Sequence, residues 1–563
     1  MKSRFLGFIT LAVTCLTLLA FPSCPPDSDS IRTVTEPVTV WFVDGDRPDD
    51  GGDGLSWATA KKTVQAAVDA AGKGEVVFVR EGTYTATGAD PVVVMKEGVK
   101  IYGGFEGYEK KLKERFDPTF NQSILDGGGT CPHVVIGAGH AKLDGFVVTG
   151  GHVDWMSPEG PGAGMLNSEV VDLKIQNCLF DNNYSYVGGA GMANDASKLT
   201  ISNTVFSNNS AWLDGGGAGV ANLNESIVDL KYVYFYDNYS YRGGAGLMAH
   251  NSQLNIKNNI FISNYSVNRG AGFVNENGSV SNVTDSYFHG NTAYGGGGAM
   301  CNKSNSYLSV DDSVIKGNSG FHGGPGALVN SNSSDAVINN CIISGNGGAY
   351  TGAIEDWSSS SYIIDTIFSN NMSTLMGAGA ISSWNAYPAT YVNNCLFVSN
   401  DSSSGGGAIL TYNTSLFVNN STFEDNYTSS RGGALYNYYY STAYIDNSVL
   451  WGNNSPGGSD EIYSYYYSYA YVTHSDVYVY PTYLVYPGAG NINNDPLFVT
   501  GPGSGVANDY FLSQTAAGQG TDSPCVDAGS DTAANLDLDD KTTRTDGVRD
   551  KNTVDMGFHN PRP

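Results

Sequence analysis

The sequence has few charged residues, and basic residues are the scarcer kind. Only 15% of the 563 residues are charged, and 29 Lys and Arg stand against 55 Asp and Glu, for a formal net charge of −26. Such a surface repels polyanions, so nucleic acid is not an expected partner, and an anionic polysaccharide would require bridging cations or a local basic groove. Helix-favouring residues are also scarce, whereas Gly (71) and Tyr (36) are abundant. This composition favours an all-β repeat protein.

Long apolar segments are missing after the N-terminus. No later segment approaches the roughly 20 apolar residues of a membrane-spanning helix. The start of the chain combines Lys2 and Arg4 with an apolar run over 5–21 and then Cys24, a pattern typical of an export signal. We therefore predict that the mature protein is exported.

Cys24 lies where bacterial lipoprotein signals place the cysteine that receives lipid, so the segment resembles a lipobox. The preceding Phe21-Pro22-Ser23 departs from the usual lipobox, which has Leu three positions before the Cys and small residues between. With lipid on Cys24, the protein would lie at the outer membrane or cell surface, held in the membrane by the lipid anchor only. With ordinary signal cleavage it would be periplasmic or secreted.

One phrase recurs eleven times along the chain. An apolar residue is followed three positions later by Asn, from Phe180 and Asn183 to Leu450 and Asn453, at a mean interval of 27 residues. A glycine cluster with Ala follows each of the first ten copies, and Asn or Asp precedes the apolar residue by three positions in every copy except that of Tyr232. This period, without helical periodicity, predicts a parallel β-solenoid whose coils stack about 4.8 Å apart.

Three cysteines occupy one column of this repeat. Cys178, Cys341 and Cys395 lie two positions before the apolar residue, where other copies have Ser or Thr. Cys341 and Cys395 would be two coils apart, about 9.6 Å, which exceeds the reach of a disulfide. We predict that all three are buried free thiols. A short amphipathic helix over 63–71 is predicted to cover the first coil.

Motifs along the chain carry a resemblance to known families. The N-terminal segment from WFVDG to VREGTY (41–84) and IYGGFEGYE (101–109) resemble bacterial right-handed parallel β-helix proteins of the pectate-lyase-like fold. FSNN (368–371), GGGAI (405–409) and GGALY (432–436) resemble the FxxN and GGA(I/L/V) repeats of the polymorphic outer membrane proteins of chlamydiae, which serve as surface adhesins.

The resemblance implies an all-β fold, a single-stranded right-handed parallel β-helix with coils of about 27 residues and a short N-terminal capping helix. The domain organisation predicted from residues and resemblance together is a lipoprotein-type signal peptide at 1–24, a flexible tether at 25–37, the β-helix with its N-terminal cap at 38–487, with regular repeats over about 163–460, and a C-terminal closing segment at 488–563.

The segment IYSYYYSYAYV (462–472) holds five tyrosines at strict period two. On a single strand they would share one face. As an exposed strip they would stack on sugar rings or contact a protein; the alternative is a cap packed against the last coil. The candidate ligand-contact residues are Tyr463, Tyr465, Tyr467, Tyr469 and Tyr471.

The same fold hosts pectate lyases and polygalacturonases, so catalytic groupings are relevant. A lyase needs calcium-binding carboxylates beside an Arg or Lys base, and no RxPxxR arrangement occurs. Arg242 and Arg269, which are further candidate ligand-contact residues, precede the glycine cluster in adjacent coils; they would either hold a carboxylate together or be solvated separately. The segment 535–547 echoes a calcium loop, but its Gly and Glu are misplaced, which favours a solvated loop.

These observations favour a non-enzymatic surface lipoprotein, an adhesin or glycan-binding β-helix. The alternatives are a polysaccharide lyase or glycoside hydrolase, and a structural spacer. No catalytic residues, metal ligands or cofactor are predicted, with calcium the only ion considered. The expected partner is a polysaccharide or a host or cell-surface protein, and the sequence leaves the oligomeric state open.

Overall fold

The computed structural model describes residues 38–155, 160–212, 216–456, 461–480, 484–502 and 505–561. The predicted signal peptide, the tether and Cys24 lie outside these ranges. The described chain is an all-β parallel solenoid, in which each coil passes in turn through sheet 1, sheet 2 and sheet 3 and then a short ladder of two-residue strands. Among the described residues, none of the helices combines the length and apolar character of a membrane span.

The strands of sheet 1, in order, are Val93–Val94, Val135–Ile136, Met165–Ser168, Met192–Asp195, Val220–Leu223, Leu247–His250, Phe273–Glu276, Met300–Lys303, Leu328–Ser331, Ile354–Trp357, Ile381–Trp384, Ile409–Tyr412, Leu435–Tyr438 and Ile462–Tyr465. The strands of sheet 2 are Val40–Val43, Val76–Arg80, Lys100–Phe105, Lys142–Asp144, Val171–Gln176, Lys198–Ser202, Ile227–Lys231, Gln253–Lys257, Val280–Thr284, Tyr307–Asp311, Asp335–Asn339, Ser360–Ile364, Thr390–Asn393, Ser415–Asn419, Thr442–Asp446 and Tyr469–Thr473.

The strands of sheet 3 are Gly82–Thr85, Ser123–Cys131, Phe146–Val153, Leu179–Asp181, Val205–Ser207, Tyr234–Tyr236, Ile260–Ile262, Tyr287–His289, Val314–Lys316, Ile342–Ser344, Ile367–Ser369, Leu396–Val398, Thr422–Glu424, Val449–Trp451 and Asp476–Val477. The two-residue strands are Tyr184–Ser185, Ser210–Ala211, Tyr239–Ser240, Tyr265–Ser266, Thr292–Ala293, Ser319–Gly320, Gly347–Gly348, Met372–Ser373, Asp401–Ser402 and Tyr427–Thr428. An antiparallel pair, Phe498–Val499 and Phe511–Leu512, follows the solenoid.

The single α-helix of the described residues, Val64–Ala70, covers the first coil as predicted. The Thr63 side chain caps it by accepting a hydrogen bond from the Ala66 N–H at 3.3 Å. Val64, Ala67 and Val68 are buried in the same hydrophobic core as the strands beneath them. The helix therefore closes the N-terminal end of the core. The 3₁₀ helices are Trp57–Thr59, Leu112–Glu114, Val506–Asp509, Thr515–Ala517 and Ala533–Leu536.

The repeated apolar residue forms the predicted ladder inside sheet 3. Phe180, Phe206, Phe235, Phe261 and Phe288 are fully buried, and their rings stack at centroid distances of 4.4 to 5.4 Å. The interplanar angles are 2° to 13°. The rings thus fill the solenoid interior with identical contacts from coil to coil.

The Asn of the repeat forms a second, polar ladder within the core. Each side-chain amide donates to the Oδ1 of the next coil's Asn, for example Asn264 to Asn291 at 2.9 Å and Asn291 to Asn318 at 2.9 Å. At the C-terminal end, Asn453 donates from Nδ2 to the buried Glu461 at 2.6 Å. Burial raises the pKa of Glu461 to about 8. A buried carboxyl group therefore terminates the ladder.

The column three residues before the apolar residue makes the sharp turn between sheets 2 and 3. All eleven of its residues have positive φ, between 47° and 57°, including Asn203 (47°) and the exceptional Tyr232 (57°). Asn and Asp tolerate this left-handed conformation better than most other residues. The column therefore exists for backbone geometry rather than for ligand contact.

A second polar ladder, which the sequence pattern did not reveal, lies inside sheet 1. Asn275 donates to Asn302 at 2.9 Å, Asn302 to Asn330 at 3.0 Å and Asn330 to Asp356 at 3.1 Å. Asp356 also accepts from Ser361 at 2.6 Å. Burial raises the pKa of Asp356 to about 6, although these hydrogen bonds oppose the shift.

The cysteine prediction is confirmed. Cys178, Cys341 and Cys395 are buried and free. Each Sγ lies 3.1 to 3.3 Å from the carbonyl oxygen two residues earlier. These thiols therefore fill the same inward position that Ser and Thr fill in other coils.

The region after the solenoid folds back along the outer face of sheet 3. The His559 N–H donates to Asn394 Oδ1 at 2.7 Å, and the Phe558 N–H donates to Thr422 Oγ1 at 2.9 Å. Phe558 also packs with Leu396 in a small apolar cluster. Sheet 3 is thus covered in the last coils, whereas sheets 1 and 2 keep their outer faces open there.

Candidate functional site

A row of aromatic side chains runs along the outer face of sheet 2 in the C-terminal coils. Tyr362, Tyr391, Phe417, Tyr444 and Tyr471 are strand partners in register. Neighbouring rings stack at centroid distances of 4.7 to 5.5 Å and interplanar angles of 3° to 19°. Because each ring face covers the next, the row presents ring edges and hydroxyl groups to solvent.

A parallel row lies on the outer face of sheet 1. Trp357, Trp384, Tyr412, Tyr438 and Tyr465 pair in register, with centroid distances of 5.3 to 6.1 Å. Their orientations vary more than on sheet 2, since interplanar angles reach 60°. This row is therefore less regular and leaves more of its ring faces open.

Two tyrosine pairs in the turns between sheets 1 and 2 connect the rows. Tyr439 stacks on Tyr466 at 5.0 Å, and Tyr440 stacks on Tyr467 at 5.3 Å. All four have positive φ, between 52° and 58°. We call the two rows, these turns and Tyr469 the aromatic surface. Its members are Trp357, Tyr362, Trp384, Tyr391, Tyr412, Phe417, Tyr438, Tyr439, Tyr440, Tyr444, Tyr465, Tyr466, Tyr467, Tyr469 and Tyr471.

The expectation that the five tyrosines of segment 462–472 share one strand face is wrong. Ile462–Tyr465 belongs to sheet 1 and Tyr469–Thr473 to sheet 2, with Tyr467 in the turn between them. The two-residue alternation holds within each strand, but the positive φ of Tyr466 and Tyr467 breaks the strand and redirects the chain.

The last coil nevertheless exposes most of these rings. Tyr465, Tyr467, Tyr469 and Tyr471 are 52%, 66%, 57% and 57% exposed. Tyr463 is half-buried beneath the guanidinium of Arg431, which lies 4.8 Å from its ring centroid. Four of the five sequence candidates are thus available to a partner, and they form the terminal edge of a larger surface.

The aromatic surface is uncharged. None of its members is acidic or basic at neutral pH, and partial desolvation raises the pKa of Tyr362 and Tyr412 above the usual tyrosine value. Their hydroxyl groups therefore stay protonated and can both donate and accept hydrogen bonds.

Arg242 and Arg269 lie apart from the aromatic surface in sequence and differ from each other in exposure. Arg242 is exposed and Arg269 half-buried, and Gly243 rather than Arg242 is the strand-bridge partner of Arg269. The charge of Arg269 opposes the effect of burial on Glu355, whose pKa rises to about 7. The two arginines are thus offset by one residue rather than directly paired.

Within the described ranges, no group of three or more His, Cys, Asp or Glu is arranged to hold a metal ion. In the segment that echoes a calcium loop, Asp546 accepts from the Arg544 guanidinium at 2.6 Å. The Asp546 carboxylate is therefore already paired with a cation.

Comparisons with known proteins agree with this architecture. The family model described as right-handed beta helix region matches residues 120–315, and the Chlamydia polymorphic membrane protein repeat matches residues 416–438. A search of curated proteins found no match. The chain is a right-handed parallel β-helix. Its repeats are of the polymorphic membrane protein type.

Several solved structures are similar over most of the chain at low identity. Pectate lyase Pel9A is 11% identical, with 92% of this chain and 95% of that chain covered and a TM-score of 0.28. The mannuronan C-5 epimerase AlgE6 A-module of Azotobacter vinelandii is 15% identical (72% and 94% covered, TM-score 0.30). PfbA, a surface adhesin of Streptococcus pneumoniae, is 12% identical (73% and 89% covered, TM-score 0.26). Scores this low support no inference about activity.

Proposed function

We propose that this protein is a non-enzymatic surface lipoprotein that binds a glycan-bearing partner through the aromatic surface. The observation that carries the proposal is the concentration of exposed, stacked rings on two adjacent sheets of the last coils. Large exposed aromatic patches mark binding sites more often than they serve the fold. Tyrosine supplies contact area together with a hydrogen-bonding hydroxyl group.

The fold itself does not require aromatic residues in these columns. On sheet 2, the column that holds Tyr362 to Tyr471 continues towards the N-terminus through Val337, Ser309, Asn282 and Asn255, none of them aromatic. Those coils have the same strands and the same interior ladders. A spacer would need only such small side chains, so the change to aromatic residues favours a binding role.

The stacking also prepares the surface for binding. Each inner ring is held between two neighbours, so it loses little side-chain freedom when a partner arrives. Open ring faces lie in the less regular row of sheet 1 and in the last coil, where sheets 1 and 2 have no further strand beyond Tyr465 and Tyr471 in the described structure. Sugar rings would stack on these faces, while hydroxyl groups along the rows accept and donate hydrogen bonds.

The enzyme alternative receives no support from this surface. General acid–base chemistry needs titratable groups poised to exchange protons. The members of the aromatic surface include no carboxylate, imidazole or amine, and the raised pKa of Tyr362 and Tyr412 disfavours proton abstraction by these hydroxyl groups near neutral pH. Binding without cleavage is therefore the expected outcome.

The test compares retention and cleavage on a polysaccharide and cell-surface panel, with and without calcium. Residues 25–563 would be prepared as wild type, as Y465A/Y467A/Y471A, and as the control Y236A/Y294A/Y307A, which removes three exposed tyrosines from earlier coils. We expect the first triple variant to lose retention by roughly a hundredfold, at about 1 kcal/mol for each of three ring–sugar contacts. The control should bind like the wild type. Equal binding by both variants, or cleavage of the polymer, would contradict the proposal.

A further inference from the structure

A recess of about 470 Å³ opens on the outer face of sheet 2, at the opposite end of the solenoid from the aromatic surface. Its floor includes Leu173 and Leu199, two inward core residues. Its rim includes Lys100, Lys174 and Lys198. This face is regular in the later coils, so the recess needs a local cause.

A β-bulge accounts for the recess. Leu173 pairs with Leu199, but Lys198 pairs with Val171, so Asp172 is an extra residue in its strand. Asp172 has a φ of 56°, and its carboxylate lies 3.4 Å from His140 Nδ1. Bulges interrupt the ladder and redirect neighbouring side chains. The two sides of the recess are thus separated where the strand bends.

Lysines are concentrated here in register. Lys100, Lys142 and Lys174 are successive strand partners, which places them about 4.8 Å apart per coil. Like charges facing each other across strands destabilise a sheet. Lys142 is neutralised by Asp144 at 3.0 Å and lies 5.3 Å from the Tyr102 ring centroid.

The other three lysines of the recess outnumber its two lining carboxylates, Asp172 and Asp229. For Lys100, Lys174 and Lys198, all exposed, no ion pair is recorded among the described residues. The whole chain carries a net charge of −26, so a cluster of unpaired cations runs against its overall charge. An anionic ligand would relieve the repulsion and use three charge-assisted donors.

We propose that this recess binds an acidic glycan, with the carboxylate or sulfate of a sugar between Lys100, Lys174 and Lys198. The acidic rim residues distinguish such a ligand from a simple polyanion. Asp172 and Asp229 also line the recess and can accept hydrogen bonds from sugar hydroxyl groups. They would repel a ligand that carries only negative charge, as nucleic acid does on its backbone.

The choice of a glycan rests on the proposed function, and the register connects the two sites. The column of Lys100, Lys142 and Lys174 continues in register to Tyr362 and Tyr471 on the same outer face. Seven coil steps, about 34 Å, separate Lys174 from Tyr362 at 4.8 Å per step. A polymer lying along the solenoid axis could therefore contact both.

The experiment measures retention of polygalacturonate, which carries carboxylates, dextran sulfate, which carries sulfates, a neutral polysaccharide and single-stranded DNA as a function of salt. The proteins are wild type, K174Q/K198Q and the control K257Q/K316Q, whose lysines lie outside the recess. We expect K174Q/K198Q to retain at least one of the two acidic glycans roughly tenfold more weakly than the wild type. The salt dependence of that retention should also weaken, because two charge-assisted contacts are removed. The control should behave like the wild type.

Three outcomes would overturn the proposal: no acidic glycan retained by the wild type, equal retention by K174Q/K198Q, or DNA retained as well as either acidic glycan. The aromatic variant Y465A/Y467A/Y471A separates this proposal from the proposed function. If the aromatic variant keeps full binding while K174Q/K198Q loses acidic-glycan binding, the recess proposal stands and the aromatic surface is not the contact. The reverse pattern supports only the aromatic surface.

Discussion

The buried Asn ladder should carry much of the solenoid's stability, and Asn291→Ala tests this at its centre. Asn291 Oδ1 accepts from the Asn264 N–H at 3.1 Å and from Asn264 Nδ2 at 2.9 Å. Asn291 Nδ2 donates to the Phe261 carbonyl at 2.9 Å and to Asn318 Oδ1 at 2.9 Å. Alanine would remove all four contacts from a site with no solvent exposure.

The stability lost in Asn291→Ala depends on which of the four groups bonded to the Asn291 side chain keep another hydrogen-bond partner. Asn264 Nδ2 still donates to the Phe235 carbonyl, and Asn318 Oδ1 still accepts from the Asn291 N–H. The Asn264 N–H loses its side-chain partner, whereas the Phe261 carbonyl loses the Asn291 amide but keeps the backbone N–H of the neighbouring strand Tyr287–His289. At roughly 1–3 kcal/mol for one buried polar group left unsatisfied and about 1 kcal/mol for the other lost hydrogen bond, the free energy of unfolding should fall by about 2–4 kcal/mol.

The matched control is Asn282→Ala, in the same coil. Asn282 is exposed on sheet 2 and donates to Asn255 Oδ1 at 3.3 Å, so its loss should change the free energy of unfolding by less than about 0.5 kcal/mol. Because each coil contacts mainly its neighbours, urea denaturation should be combined with hydrogen exchange resolved along the chain. Equal effects of the two substitutions, or unchanged protection of residues 258–320 in Asn291→Ala, would refute the reasoning.

The remaining predictions concern pH, thiols and the lipid. The pKa of Glu461 is raised to about 8 by burial, so its contribution to stability is fully present below pH 4.5 and is lost as the pH rises towards 8; the urea midpoint should fall over this range, and less steeply in Glu461→Gln. Burial raises the pKa of Cys178 and Cys341 to about 12, so iodoacetamide at pH 8 should label the cysteines of residues 25–563 only after unfolding. Cys24→Ser should abolish incorporation of a labelled fatty acid into the full chain. A pH-independent midpoint, rapid labelling of the folded protein or lipid on the serine variant would contradict the respective predictions.

The interior of the solenoid could be predicted from the sequence because every coil must fill the same positions. The Phe, Asn and positive-φ columns recur with fixed spacing from one another, so a period of about 27 residues exposes them. The ladder inside sheet 1 escaped detection because its column changes identity, with Ala249 between Asn222 and Asn275 and Ser383 after Asp356. Hydrogen bonding there depends on local partners rather than on one repeated residue.

The outer columns are less predictable because the solenoid does not fix what they hold. Tyr362, Tyr391 and Phe417 are neighbours in space but lie 29 and 26 residues apart, so the row emerges only once strand register is known. The lysine column is even harder to detect in the sequence, because Lys100 and Lys142 lie 42 residues apart, outside the regular period. A periodic search therefore finds what holds the coils together and misses the surfaces that vary. Since those variable columns are where a binding role would be encoded, the sequence pattern specifies the scaffold more fully than it specifies the partner.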